Sequence, residues 1–268
     1  MTWKVLMMDW LRRMFGSRTA TEATEATEAT EAVEAVEAVE AVEASTLRSL
    51  IGHATWHIPA AMGEQGPKMA FTADTLSIYD SSEGLGAANL AATGTQEGLF
   101  LTMDGRGLFG QALRGHALTS LTVHREGQDP MSLGPEDLVR ATIMADGMTI
   151  DDVLLGRSNA PDGFTKMRTF QHFKVPGREH EGRFGLMMAP DAKGRKLAAI
   201  FTTEDAAQAF VTAVESELNM TPVMKTMDGH ALFSMLAGVQ LDGLVFNCKG
   251  PDAPKAVAPQ FAAIVVNA

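Results

Sequence analysis

A single thiol, two closely spaced histidines, a recurring Asp-Gly pair and one glycine-rich stretch are the residues of this chain whose types could do chemistry. Cys248 lies just past a predicted strand, where nucleophiles of α/β folds often sit. A nucleophilic thiol needs a base to generate thiolate, and His230 is near it only in sequence, so a small buried or turn cysteine is expected. His53 and His57 flank Trp56, and their i, i+4 spacing puts both on one face of a strand or helix, as a metal pair requires. No carboxylate or cysteine stands at ligand spacing beside them, which makes them edge or surface histidines. His180, between Glu179 and Glu181, reads as part of a solvated turn. The stretch Gly84-Leu-Gly86-Ala-Ala-Asn89 departs from the dinucleotide fingerprint: its third glycine is absent and no strand-turn-helix context is predicted around it. Asp104 and Asp228 each precede a glycine, and a helix N-cap accounts for both without chemistry. No Gly-x-Ser-x-Gly, phosphate-binding loop or zincin motif occurs. The sequence supplies no catalytic residue, no cofactor-binding residue and no metal ligand set, so the expectation is a protein without enzymatic activity and without a cofactor.

The elements that would position such groups occur twice. Thr102-Met103-Asp104-Gly105-Arg-Gly-Leu108-Phe109 and Thr226-Met227-Asp228-Gly229-His-Ala-Leu232-Phe233 agree at six of eight positions. Leu118, Leu121, Gly127 and Pro135 follow the first copy, and Leu241, Leu244, Gly250 and Pro259 follow the second at nearly the same spacing. Phe71-Thr72 with Asp74 precedes the first, and Phe201-Thr202 with Glu204 precedes the second. An ordered series of matches of this kind is the signature of an internal duplication, and two copies make a tandem-domain protein.

The second copy gives the cleaner pattern. Strands are predicted at 170–175, 183–189 and 196–201, with a turn-rich stretch at 176–182. Thr202 and Asp205 resemble a capping box. The helix that follows buries Ala206, Ala207, Phe210, Ala213, Val214 and Leu218. A strand at 222–227 leads to Asp228, which caps a short helix ended by Gly238. A strand at 241–246 and a terminal helix near 261–266 complete the copy. Strands alternating with helices predict an α/β fold (α+β being the alternative), with two similar sheet-plus-helices domains in tandem.

Three landmarks in this copy resemble the bacterial SseB-family domain. They are Phe201-Thr202 running into an acidic helix, the turn at Asp228-Gly229, and Asp242-Gly243 through Asn247 leading to Gly250-Pro251. Cys248 stands where that family usually has a proline, and the first copy has His124 and Gly127-Gln128 in place of the Asn and the Gly-Pro pair. The resemblance covers roughly residues 165–268. It implies no established enzymatic activity and no catalytic residues; members are tied by name to serine sensitivity and to type III secretion, neither of which is transferred.

Ahead of the duplicated region, residues 1–18 read as an amphipathic helix with Trp3, Leu6, Met7, Trp10, Leu11 and Met14 on one stripe, and Trp3, Trp10, Leu11, Met14 and Phe15 suit it to a membrane interface or a partner. Eight Thr/Val-Glu-Ala triplets at 21–44 have a period that fits neither helix nor strand and cannot build a core, so 19–45 reads as an extended acidic spacer. The formal charge of −11 divides into +3 for residues 1–20, −8 for the triplets and −6 for the rest. A body that mildly acidic lacks the basic stripe of a nucleic-acid binder. One cysteine excludes an intramolecular disulfide framework and fits a reducing compartment. The expected organisation is helix 1–18, spacer 19–45, a diverged SseB-like domain 46–158 and an SseB-like domain 159–268. The expected role is a cytoplasmic interaction or adaptor protein, peripheral at the inner membrane face if the N-terminal helix meets lipid, with a protein partner and no nucleic acid. The alternatives are a small-ligand protein or enzyme using the cleft between the copies, and a secretion-associated factor.

Overall fold

The computed structural model describes residues 44–158, 160–180, 182–190, 194–218, 220–249 and 255–268. The N-terminal amphipathic stretch, the spacer up to residue 43, and Gly250 and Pro251 lie outside the described residues. Chain contacts divide the described residues into an N-terminal unit, 46–146, and a C-terminal unit, 147–268, with which residues 44 and 45 also group.

The N-terminal unit contains α1 (44–51), β1 (Trp56–Gly63), β2 (Gly66–Met69), β3 (Thr75–Tyr79), α2 (Ser82–Thr93), β4 (Phe100–Met103), a single turn α3 (Gly105–Gly107) running into a π turn at Leu108–Ala112, β5 (Ser120–His124), β6 (Met131–Leu133) and the start of α4 (Pro135–Leu154). The C-terminal unit takes the last turns of α4. It continues with α5 (Ala160–Thr169), β7 (Phe173–His180), β8 (Arg183–Leu186), β9 (Met188–Pro190), β10 (Lys196–Ile200), α6 (Glu204–Leu218), β11 (Val223–Met227), α7 (Gly229–Ala237), β12 (Gly243–Phe246), β13 (Lys255–Val257) and α8 (Phe261–Asn267). Apart from β9, the described elements recur in the same order in both units.

Pairing recurs as well. β1 pairs antiparallel with β2 and β4, as β7 does with β8 and β11. β3 runs parallel to β5, and β10 parallel to β12; β6 and β13 then add antiparallel strands. The register agrees residue by residue. Trp56 faces Met103 as Phe173 faces Met227, and His57 meets Tyr79 as Lys174 meets Phe201. Asp104 accepts from Gly107 N at 2.6 Å, and Asp228 from Ala231 N at 2.8 Å, each capping a helix start that would otherwise leave an orphan donor. Gly105 N donates to His53 O at 2.9 Å, and Gly229 N to Phe170 O at 2.7 Å. Both glycines are required by close approach, since a Cβ would overlap Leu50 O and Ile51 O in one unit and Met167 O in the other.

Apolar residues on alternate strand positions and one helix face make the cores. In the N-terminal unit Leu50, Ile51, Trp56, Ile58, Ile78, Phe109 and Leu121 are fully buried, and the Trp56 indole N–H is satisfied by Leu50 O at 3.0 Å. In the C-terminal unit β12 is buried along its whole length. Val245 packs with Phe201, Phe210 and Val214, while the Phe246 ring lies 5.9 Å from Phe261, itself edge-on to Phe233.

Several sequence expectations change. The units divide after Asp146 and not at 158/159, because the last turns of α4 belong with the C-terminal unit: Asp151 bonds Thr202 and Asn247, and Gly147 lies so close to Thr202 O that a Cβ would overlap it. Phe71-Thr72 is not the counterpart of Phe201-Thr202. It precedes β3, whereas Phe201-Thr202 follows β10, and the residues that correspond by pairing are Tyr79 and Asp80. The stretch expected as a turn at 176–182 is largely strand, since β7 reaches His180 and pairs with β8. Thr202 does not cap α6, which begins at Glu204. Gly84 and Gly86 lie in the first turns of α2 directly after β3, so a strand-turn-helix context is present there.

Candidate functional site

In both units the chain leaves the parallel pair in opposite directions. From β3 it runs through α2 to β4, beyond β1; from β5 it turns the other way to β6. The same divergence follows β10 and β12, which leads to β13. In open α/β sheets this arrangement leaves a crevice at the carboxyl ends of the diverging strands, where ligands bind.

In the C-terminal unit the crevice is filled. Asn247 follows β12 with φ of 51°, a left-handed backbone that asparagine tolerates. Its N–H bonds Ile200 O at 2.9 Å. Its side-chain oxygen accepts from Thr202 N at 3.0 Å, and its Nδ2 donates to Thr202 Oγ1 at 2.9 Å and to Asp151 Oδ1 at 2.7 Å. Thr202 Oγ1 also donates to Asp151 Oδ1 at 2.7 Å. All three residues are buried, with 1–5% exposed. Two donors thus converge on one oxygen of the carboxylate, Oδ1, in a low-dielectric setting that strengthens each bond.

The other family-like residues are structural too. Phe201 is core. Asp242 accepts from Lys196 N at 2.7 Å and donates its N–H to Lys196 O at 3.1 Å, clamping the start of β12 to β10. A Cβ at Gly243 would meet Val257 O at 2.8 Å. Asp228 caps α7 and Gly229 seats its start on α5. Of the duplicated octapeptides, Thr102, Met103, Thr226 and Met227 end the edge strands, while Leu108, Phe109, Leu232 and Phe233 are fully buried. Cys248 is 7% exposed, and burial pushes its thiol up to about 12. At neutral pH it is a buried, protonated thiol.

In the N-terminal unit the corresponding crevice is open, with a cavity of about 380 Å³ lined by Tyr79, Asp80, Ser81, Glu83, Gly84, Ala87, Ala88, His124, Arg125 and Glu126. Pairing and backbone bonds put Asp80 in the place of Thr202. Tyr79 pairs with β1 as Phe201 bridges to β7, and Leu85 N bonds Ser81 O as Ala207 N bonds Thr203 O. His124 takes the place of Asn247: Asp80 N donates to His124 O at 3.1 Å, and the two rings Tyr79 and His124 stack 4.5 Å apart at 8°. Asp80 Oδ2 accepts from Glu126 N at 3.0 Å, tying the two loops together. Ser81 caps α2 through Gly84 N at 3.1 Å. The Arg125 guanidinium is turned onto the Trp56 ring, 5.9 Å from its centroid, and bonds Ser49 Oγ at 3.2 Å. Burial raises the Tyr79 phenol above its usual range, so it stays protonated at neutral pH.

The sequence-derived candidates fall in different places. His53 lies against Trp56 at 4.3 Å, while His57 is on β1 against Phe100 at 5.7 Å. His180 ends β7. Among the described residues no group of three or more His, Cys, Asp or Glu is placed to hold a metal, and no helix is long and apolar enough to cross a membrane. The cleft residues Tyr79, Asp80, Glu83, Arg125 and Glu126 were not singled out by sequence. The signal available was the strand end followed by Ser81-Ser82-Glu83, a helix start directly after a buried strand.

No family model and no curated relative matches the chain. Among solved structures, Anabaena Tic22 (protein transport) is similar at 9% identity over 77% of this chain and 92% of that one, with a TM-score of 0.24. A likeness at that score carries no argument about fold or function.

Proposed function

We propose that this chain is a non-enzymatic cytoplasmic interaction protein built from two copies of an SseB-like α/β module, with a protein as its partner. The observation that carries the proposal is the exposed strand edge at the same place in each unit. Among the described residues β4 pairs only with β1 and β11 only with β7, and Leu99, Phe100 and Val223 beside these edges are 45%, 48% and 42% exposed. An edge strand flanked by apolar side chains offers both main-chain hydrogen bonds and side-chain anchors to an extended segment. The polar residues of the family-like motif, by contrast, serve as caps, clamps and a filled crevice. The test is affinity capture with the full chain, with a chain lacking residues 1–44, and with Phe100→Lys/Val223→Lys. Partners kept by the truncated chain and lost by the double variant support the proposal; partners lost on truncation alone would move the function to the N-terminal segment.

The cavity in the N-terminal unit favours a second reading, in which the same protein holds a small ligand. Its volume falls in the lower part of the range of ligand pockets, and it joins polar groups to a small-residue wall. Saturable binding of any small molecule that perturbs Tyr79 would support that reading.

A further inference from the structure

We propose that the open crevice of the N-terminal unit binds a cationic group, an ammonium or guanidinium on a flexible alkyl chain. The inference rests on the small-ligand reading above and names the ligand class. The duplicate copy shows what a filled crevice requires. There, Thr202 and Asn247 present donors, and the occupant is an acceptor, the Asp151 carboxylate. In the N-terminal unit the position of Thr202 is held by Asp80, so the wall presents a carboxylate where the filled copy presents a donor. The complement of that wall is a donor bearing positive charge.

Charge around the cavity points the same way. Asp80, Glu83 and Glu126 line it, and none of the three has an ion pair among the described residues. The one cation on the wall, Arg125, is directed onto Trp56 and Ser49. Counting Arg125 as one charge and the positive end of α2 as about half a charge still leaves an excess of about one and a half negative charges from the three carboxylates. The rest of the wall suits an alkyl chain. Gly84, Ala87 and Ala88 give it small side chains, and a Cβ at Gly84 would stand 3.8 Å from the Tyr79 ring. The Tyr79–His124 stack closes one side as a flat aromatic face.

Tyr79 is the only tyrosine in the chain, so 3-fluorotyrosine incorporated into the full protein gives one ¹⁹F resonance that reports on the cavity. Agmatine, n-butylurea and butyrate are titrated at low ionic strength; they share a four-carbon scale and differ in charge. The expected result is a saturable shift with agmatine at a Kd on the order of millimolar or below, weakened about tenfold in Glu83→Gln/Glu126→Gln and abolished in Ala87→Leu, a helix-compatible change that fills the cavity. Butyrate is expected to leave the resonance in place. A peptide carrying one internal arginine separates the two sources of such a group: a stronger shift with the peptide assigns the cation to a side chain, and a stronger shift with agmatine to a free amine. If butylurea or butyrate shifts the resonance as much as agmatine does, the small-ligand reading stands and the cationic assignment is overturned. If none of the probes shifts it, both are overturned.

Discussion

Replacing Asn247 by alanine removes three hydrogen bonds from a buried site at once. Nδ2 no longer reaches Asp151 Oδ1, 2.7 Å away, or Thr202 Oγ1, 2.9 Å away, and Thr202 N loses its acceptor at 3.0 Å. The bond to the carboxylate is worth about 1.5–3 kcal/mol and each neutral one about 1 kcal/mol. Alanine must also hold the left-handed φ of 51°, which costs about 1 kcal/mol or more for a residue with an ordinary Cβ. Bonds shared within one network do not add fully, so the expected loss is about 4 kcal/mol. Asn247→Gly removes the same bonds without the backbone penalty and should lose about 1 kcal/mol less. Native-state hydrogen exchange on peptides covering 196–203 and 243–249 reads the change where it occurs. A loss of about 4 kcal/mol corresponds to a roughly thousandfold rise in the opening equilibrium. A rise below about tenfold, or alanine and glycine variants that behave alike, would refute the reasoning.

Gly105→Ala and Gly229→Ala should each destabilise their own unit by about 3 kcal/mol or more, because the new Cβ overlaps backbone carbonyls that α3 and α7 are seated on; a loss under 1 kcal/mol by urea denaturation would show the seat to be loose. Asp104→Ala and Asp228→Ala should each cost about 1 kcal/mol as lost N-caps, and unequal losses would argue against equivalent roles. Cys248 should resist iodoacetamide at pH 8 in the native protein and react on unfolding, given a thiol raised to about 12. The native state holds that proton when the unfolded chain has lost it, so the thiol's contribution to stability is fully present below about 9 and falls as pH rises towards about 12. Rapid native alkylation would contradict the burial.

How much was legible follows from how local each signal is. Asp104 and Asp228 could be read as caps because the bond spans three residues, and α6 showed itself through the spacing of Ala206, Phe210 and Val214 on one face. The octapeptide repeat marked equivalent positions for the same reason. The Phe71-Thr72 match misled because it compared dipeptides without the strands around them, and only cross-strand pairing places Tyr79 opposite Phe201's role. The filled crevice was out of reach: Asp151 meets Asn247 across 96 residues of chain, from the helix that crosses the unit boundary. The open cleft was equally hidden, because Asp80, Glu83 and Glu126 look like ordinary surface acids until β3 and β5 are set side by side.

The duplication itself is tested most directly by NMR scalar couplings across two hydrogen bonds, Gly105 N–H to His53 C=O and Gly229 N–H to Phe170 C=O. Each joins the cap glycine of the short helix to the chain just before the first strand of its unit. Two units descended from one module predict both couplings in the same protein. Detection of one without the other, in a sample where both amides are resolved and protected from exchange, would contradict the account.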